Sequence, residues 1–238
     1  MPIPLATPHM SSAFAPAQAS PSMVANPWFA ALTALDRQAL LENSERLRLQ
    51  PGEMLFRQGA ASGGFYGLLR GTLKISSLRE DGREAILVLL ESGNWIGETS
   101  LIDGDRRTHD ATALTAAEVL VVAQPAFAAL MSRASFALAI ARLLTGRVRS
   151  LYSMVEDTTL RSTRTRVARR LLLLARGDAT LAVDARPSVP VSQEALAMML
   201  GITRQTLSKE LKALQALGAV SMRYKRIETV SVAQLDAL

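Results

Sequence analysis

The segment Val191 to Leu217, VSQEALAMMLGITRQTLSKELKALQAL, constrains this chain most, because it reads as two short helices joined by a glycine-centred turn. Counting from Gln193, the apolar residues Leu196, Leu200, Ile202 and Leu207 fall where two crossed helices must pack. Ala197 is small where the helices approach, and Gly201 supplies a turn conformation that a Cβ disfavours. Ser192 and Glu194 suit a helix N-terminus, and Thr203 is placed to cap the second helix. That second helix opens with Arg204, Gln205, Ser208 and Lys209 on its exposed side, residue types that hydrogen-bond phosphates and base edges in a major groove. The pattern implies a helix-turn-helix with double-stranded DNA as its partner. The competing reading is an ordinary helix pair with a solvated basic face.

The residues after Leu217 favour the helix-turn-helix. Gly218 ends the helix, and AVSMRYKRIETVSV is β-branched around a basic centre, Arg223, Tyr224, Lys225 and Arg226, which implies two strands and a tip. A helix-turn-helix succeeded by such a hairpin is a winged helix, whose tip meets backbone phosphate without regard to sequence. The expected DNA-contacting set is therefore Ser192, Gln193, Thr203, Arg204, Gln205, Ser208 and Lys209, with Arg223, Lys225 and Arg226 in the wing.

A chain of 238 residues that is 49% hydrophobic can bury a substantial core and would normally divide into two domains. Its net charge of +6 is unevenly placed. From Arg161 onward 13 Lys and Arg face 6 Asp and Glu, a balance of +7, which leaves −1 for everything before. The basic footprint thus coincides with the helix-turn-helix, and the larger, neutral part must do something else. No apolar run reaches the ~18 residues of a membrane span; the longest are short stretches such as Leu171 to Ala175. The first 26 residues are rich in Pro, Ala and Ser without Lys or Arg, so they lack the start of a secretory signal and read as a disordered tail, with Met23 as an alternative start. Zero cysteines exclude disulfides, thiolate iron–sulfur ligation and a cysteine nucleophile, and a cytoplasmic location fits.

Between about Leu47 and Val122, short apolar runs alternate with glycine-bearing turns: GEMLFRQG, GFYGLLRGTLKISSL, EDGRE, AILVLLESGNWIGE and AEVLVVA. This is β-rich, at the spacing of a sandwich or roll. Inside it lies Gly97-Glu98-Thr99-Ser100-Leu101, then an acidic loop Asp103-Gly104-Asp105, then Arg106-Arg107-Thr108. A long helix comes next, in which Ala141, Leu144, Val148, Leu151, Val155 and Thr158 recur at spacings of three and four. That is a coiled-coil seam, or else the core-facing stripe of an amphipathic helix.

From about Trp28 onward the sequence resembles the Crp/Fnr family of bacterial transcription regulators, in the Gly97 to Thr108 stretch and in the order of roll, long helix and winged helix. The resemblance implies an α+β fold with a cyclic-nucleotide-binding-type β-roll over residues 27–135, a dimerisation helix over 136–160 and a winged-helix domain over 161–238, after a tail over 1–26. It also implies a homodimer on a palindromic promoter site, contact with RNA polymerase through loops such as Leu78 to Glu84 and Thr180 to Arg186, no membrane and no catalysis. In the family, the Gly97 to Thr108 stretch corresponds to the phosphate-binding cassette of a cyclic-nucleotide pocket. Glu98 would then accept from the ribose 2′-hydroxyl, while Arg107 and Thr108 hold the phosphate with backbone amides near Gly97 and Ser100. Arg147 corresponds to a family arginine that reaches the pocket. Leu151 and Tyr152 stand where cyclic-AMP-binding members place hydroxyls that read adenine, so base discrimination is expected to be weak. The competing reading of the cassette is a buried Glu98–Arg107 ion pair that fixes the loop.

Other chemistry is poorly supplied. A metal enzyme on a β-roll needs several convergent histidines and carboxylates, yet the chain has only His9 and His109. For a haem sensor His109 is the sole axial candidate, and His109 with Asp110 makes a weak catalytic pair because neighbouring strand residues face opposite ways.

Overall fold

The computed structural model describes residues 18–79, 81–179, 188–189, 191–223 and 226–238. In chain order, helices α1 (Pro21–Ala25), α2 (Pro27–Ala30) and α3 (Ala34–Glu42) lead into strands β1 (Ser44–Leu49), β2 (Met54–Phe56), β3 (Gly64–Arg70), β4 (Thr72–Leu78), β5 (Glu84–Glu91) and β6 (Trp95–Ile96). Helix α4 (Thr99–Ile102), strands β7 (Asp110–Ala113) and β8 (Ala117–Ala123), and helices α5 (Gln124–Met131), α6 (Ala134–Leu160) and α7 (Thr163–Ala175) come next. The chain finishes with β9 (Ser188–Val189), α8 (Gln193–Leu200), α9 (Arg204–Ala216), β10 (Val220–Arg223), β11 (Arg226–Thr229) and α10 (Val232–Asp236).

It divides into two units, one formed by the chain up to Ile75 with Leu90–Leu144, the other by Ser76–Leu89 with Thr145–Leu238. The strands of the roll pair in the orders β1-β8-β3-β6 and β2-β7-β4-β5. Six consecutive residues of β3, Gly64 to Leu69, are buried. The core of the first unit is aromatic: Phe65, Phe127 and Phe136 are buried, Phe65 stacks on Trp95 at 4.9 Å, and Trp28 meets Phe65 edge-on at 5.8 Å.

The start of the described chain corrects the expectation of a tail reaching residue 26. Ser20 Oγ accepts from Met23 N at 3.2 Å and caps α1, and Asn26 Oδ1 accepts from Trp28 N at 3.0 Å and caps α2. Each cap precedes a proline, whose missing N–H costs nothing in a first helical turn. Met23 is 0% exposed, and a Cβ on Gly93, at φ +99°, would clash with the Ser22 carbonyl oxygen. Residues 18–26 are therefore part of the roll; the remainder of the expected tail lies outside the described residues.

The second unit is a winged helix with a conventional apolar centre. Leu171, Leu196, Leu207, Leu211 and Leu214 are all 0% exposed, and Ile86 and Leu89 from the β4–β5 hairpin belong to the same core. Its sheet has the order β10-β11-β9, and Arg223 pairs with Arg226 at the end of the ladder nearest the expected tip. The expected tip residues Tyr224 and Lys225 lie outside the described residues, as do Thr180 to Arg186. On α6, Val148, Leu151 and Val155 are 45%, 59% and 64% exposed, so this part of the apolar seam is left uncovered by the described residues.

Candidate effector cassette and nucleic-acid interface

The cassette is built where β6 ends. Gly97 turns the chain at φ +100°, a conformation that side-chain-bearing residues rarely adopt. A Cβ there would lie 2.8 Å from the Gly64 carbonyl oxygen and 2.9 Å from Arg107 Nη1. Glu98 comes after it, 0% exposed, and then Ser100 at 4% on the single turn of α4. The acidic loop folds on itself, with Asp103 Oδ1 accepting from Asp105 N at 2.9 Å. Arg107 is next locked by its own backbone: its N–H donates to Ala60 O at 2.8 Å, and its carbonyl accepts from Gly59 N at 2.8 Å.

The guanidinium of Arg107 is buried, with the residue 4% exposed. Nη1 donates to Gly97 O at 2.8 Å and to Ser100 Oγ at 2.9 Å, and Nη2 donates to Gly64 O at 2.7 Å. Its carbon lies 4.5 Å from the centre of the Phe56 ring and 5.4 Å from that of Tyr66, distances that suit cation–π attraction. Burial pulls the Arg107 pKa below its ordinary value, and the neighbouring Tyr66 and Glu98 oppose that pull. Burial likewise raises the Tyr66 phenol. A guanidinium has five N–H donors. Three are engaged in these bonds, and the buried Nε has no protein acceptor among the described residues.

The structure therefore brings Gly97, Glu98, Ser100 and Arg107 together, with Thr108 exposed beside them and its hydroxyl 2.8 Å from His109 Nδ1. Burial holds the His109 pKa below its ordinary value, and the Asp110 charge opposes the shift. Arg147, Leu151 and Tyr152 lie on the part of α6 that groups with the second unit; Arg147 is half-buried, and Leu151 and Tyr152 are 59% and 72% exposed. Sequence reasoning missed Gly64, Phe56 and Tyr66. Their signal was present only as GFYGLL for Gly64 and Tyr66 and as GEMLFRQG for Phe56, strand patterns indistinguishable from core. Among the described residues no group of three or more His, Cys, Asp or Glu could hold a metal ion.

The second candidate surface lies on the winged helix. Ser192 Oγ caps α8 by accepting from Ala195 N at 3.1 Å, and Gly201, at φ +63°, ends it in the left-handed region. Ile202 N then reaches back to Ala197 O at 3.1 Å, and Thr203 Oγ1 caps α9 by accepting from Thr206 N at 3.1 Å. With Leu207, Leu211 and Leu214 turned into the core, Arg204, Gln205 and Lys209 are left exposed and Ser208 half-buried. Two cations that the sequence reading did not single out hold the helices: Arg166 Nη2 donates to Leu200 O at 2.7 Å, and Arg164 Nε meets Glu210 Oε2 at 2.9 Å. In the wing, Arg223 Nε meets Glu228 Oε2 at 3.2 Å while Arg226 is exposed, and Gln193 Nε2 lies 3.6 Å from Met222 Sδ. Ser192, Gln193, Arg204, Arg223 and Arg226 border a cleft of roughly 260 Å³ between the starts of both helices and the wing strands.

A β-roll with such a cassette, leading through a long helix to a winged helix, defines a ligand-responsive class of transcription regulator. Comparison with known proteins agrees. Residues 46–134 match the family profile described as cyclic nucleotide-binding domain, and residues 165–238 match the Crp-like helix-turn-helix domain. The chain is 28% identical over 217 residues to the cyclic AMP receptor protein of Thermus thermophilus, covering 91% of this chain and 98% of that protein. It is 26% identical over 191 residues to the CRP-like cAMP-activated global transcriptional regulator of Mycobacterium tuberculosis, covering 79% and 85%. The solved structure of the c-di-GMP responsive global regulator CLP of Xanthomonas campestris shares the fold, with a TM-score of 0.68 at 24% identity over 83% of this chain and 99% of that one. The chain belongs to the Crp/Fnr family of transcription regulators.

Proposed function

We propose that the protein is a homodimeric, sequence-specific regulator whose grip on a palindromic duplex is set by a cyclic nucleotide in the roll. The observation that carries the effector half is Arg107: a buried cation fixed by three protein oxygens and two rings, with its Nε–H still unspent. A cyclic phosphate supplies the missing acceptor, Thr108 adds a hydroxyl donor, and the Glu98 carboxylate suits a ribose hydroxyl. Arg204, Gln205 and Lys209 read bases or phosphates, with Ser192, Gln193, Thr203, Ser208, Arg223, Lys225 and Arg226 positioning the duplex. The uncovered stripe Val148, Leu151, Val155 on α6 pairs two chains, and two-fold symmetry then matches two half-sites. The effector acts by favouring the dimer geometry that fits successive major grooves, which it does only by binding that geometry more tightly. RNA polymerase is the further partner and the cytoplasm the location.

Leu151 has no hydrogen-bonding group, so it leaves nothing unpaired when the wrong base enters, and cyclic AMP is poorly separated from cyclic GMP. Calorimetric titration of both nucleotides, into the parent and into Arg107→Ala, tests this. Binding of both that Arg107→Ala abolishes supports the reading. Tight cyclic AMP binding with strong exclusion of cyclic GMP refutes the base argument. Failure of both to bind, with Arg107→Ala folded and DNA-competent, makes the cassette a structural loop.

A further inference from the structure

The described residues contain one non-glycine residue with positive φ, Asp178 at +26°, and it is buried. It sits just past α7, where its N–H returns to Leu173 O at 2.8 Å. Its carboxylate faces Arg170 in a two-pronged pair, Oδ1 to Nη1 and Oδ2 to Nη2, both at 3.0 Å, with the side chains only 2% and 7% exposed. Both members also bind the backbone of β5. Leu89 N donates to Asp178 Oδ2 at 2.8 Å, and Arg170 Nη2 donates to Leu87 O at 3.1 Å.

We propose that Arg170 and Asp178 form a clamp that fixes the register of the β4–β5 hairpin on α7, giving the winged helix a second mechanical link to the cassette beside α6. For holding two surfaces together the pair is an inefficient choice, since a packed apolar pair of similar volume is commonly as stable or more so. Ile86 and Leu89 already provide apolar adhesion in the same core. What the ion pair adds is direction: a slip of the hairpin along α7 breaks both main-chain bonds while leaving two charges in an apolar interior. A left-handed Asp178 is strain that persists only where its surroundings enforce it, as a functional contact does.

The hairpin is continuous with the roll. Strand β4 leaves the first unit after Ile75 and β5 rejoins it at Leu90, and both belong to the sheet β2-β7-β4-β5. Strand β7 begins at Asp110, three residues after Arg107. A change at the cassette that shifts β7 is therefore passed through β4 and β5 to the clamp and into α7, which packs on α9 within the winged helix. This coupling rests on the proposed roles of cassette and winged helix; the clamp itself does not.

The test uses the full chain as parent, as Asp178→Asn, which keeps the shape, and as the apolar pair Arg170→Met with Asp178→Leu, which keeps the packing. Hydrogen exchange of residues 84–89 is expected to keep step with α7 in the parent and to accelerate at least about tenfold in the apolar pair, while the strands β1, β3 and β8 stay protected. Affinity for a duplex recovered by site selection is expected to move by roughly fivefold or more in the folded variants, the lower end of typical allosteric coupling. A merely structural pair would lower the melting temperature and leave that affinity where it was. Hairpin amides that exchange with β3 in the parent, or are unaffected by the apolar pair, overturn the clamp. Unchanged affinity in both variants overturns the coupling whatever the exchange shows. If the parent itself selects no duplex, the DNA reading has failed, and the exchange arm still decides the clamp.

Discussion

Gly97→Ala is the substitution whose cost the structure fixes best. At φ +100° a side-chain-bearing residue pays a backbone penalty of about 1–3 kcal/mol. The new Cβ would also lie 2.8 Å from Gly64 O and 2.9 Å from Arg107 Nη1. Neither can retreat freely, because Gly64 O accepts from Arg107 Nη2 at 2.7 Å and Nη1 is held by Gly97 O and Ser100 Oγ. Overpacking of this kind adds about 1–3 kcal/mol, so the total is about 2–6 kcal/mol. At roughly 2–4 °C per kcal/mol, the roll should melt about 4–24 °C lower. Gly104→Ala is the control: φ is +74°, in the same cassette loop, but nothing lies within 4 Å of the added Cβ. It should cost only about 1 kcal/mol, mostly backbone. Differential scanning calorimetry of both variants reads the difference, and titration with cyclic AMP reads the displaced guanidinium. If Gly97→Ala melted within about 2 °C of Gly104→Ala, the packing around Arg107 would be misassigned.

Three further outcomes rest on single features. Thr203→Ala removes the α9 cap and should cost about 1 kcal/mol in urea unfolding, whereas Thr203→Ser should cost little. Because burial depresses the His109 pKa, the stability tied to its neutral form is fully present above the ordinary value of 6.5 and is lost as pH falls through the folded value. The parent should therefore lose more melting temperature than His109→Gln between neutral and mildly acidic pH; equal losses would refute the assignment. Both tryptophans, Trp28 and Trp95, share the aromatic cluster next to Gly97, and Trp28 Nε1 donates to Ala139 O on α6 at 2.8 Å. Ligand entry at the cassette should change intrinsic fluorescence, and the change should vanish in Arg107→Ala.

Local chemistry was legible in the sequence, and long-range allegiance was not. The pattern Leu196, Leu200, Leu207 with Gly201 and Thr203 specified packing, turn and cap within a dozen residues, and each appears as a buried side chain, a left-handed turn or a capping bond. The Ser20-Pro21 and Asn26-Pro27 pairs carried equally good start signals, but the surrounding Pro, Ala and Ser composition masked them. Nothing local shows that Met23 would be covered or that Ser22 would approach Gly93. Arg107 was readable as a cation opposite Glu98, yet the rings that sandwich it come from β2 and β3, some forty to fifty residues earlier. One partner of Asp178 is likewise remote: Leu89 is 89 residues away in sequence, although Arg170 is only eight away. Such contacts depend on strand order and register, which hydrophobic periodicity leaves open.

If the start of α9 reads duplex DNA under the control of the roll, substitution at Arg204 exposes it. Site selection from a random duplex pool, with parent and Arg204→Ala side by side, should return a two-fold-symmetric site from the parent. The variant should bind that site more weakly by about 1–3 kcal/mol per half-site and should lose preference at one base pair in each half. Identical selected sequences and equal affinities from the two proteins would contradict the assignment of α9 as the reading helix.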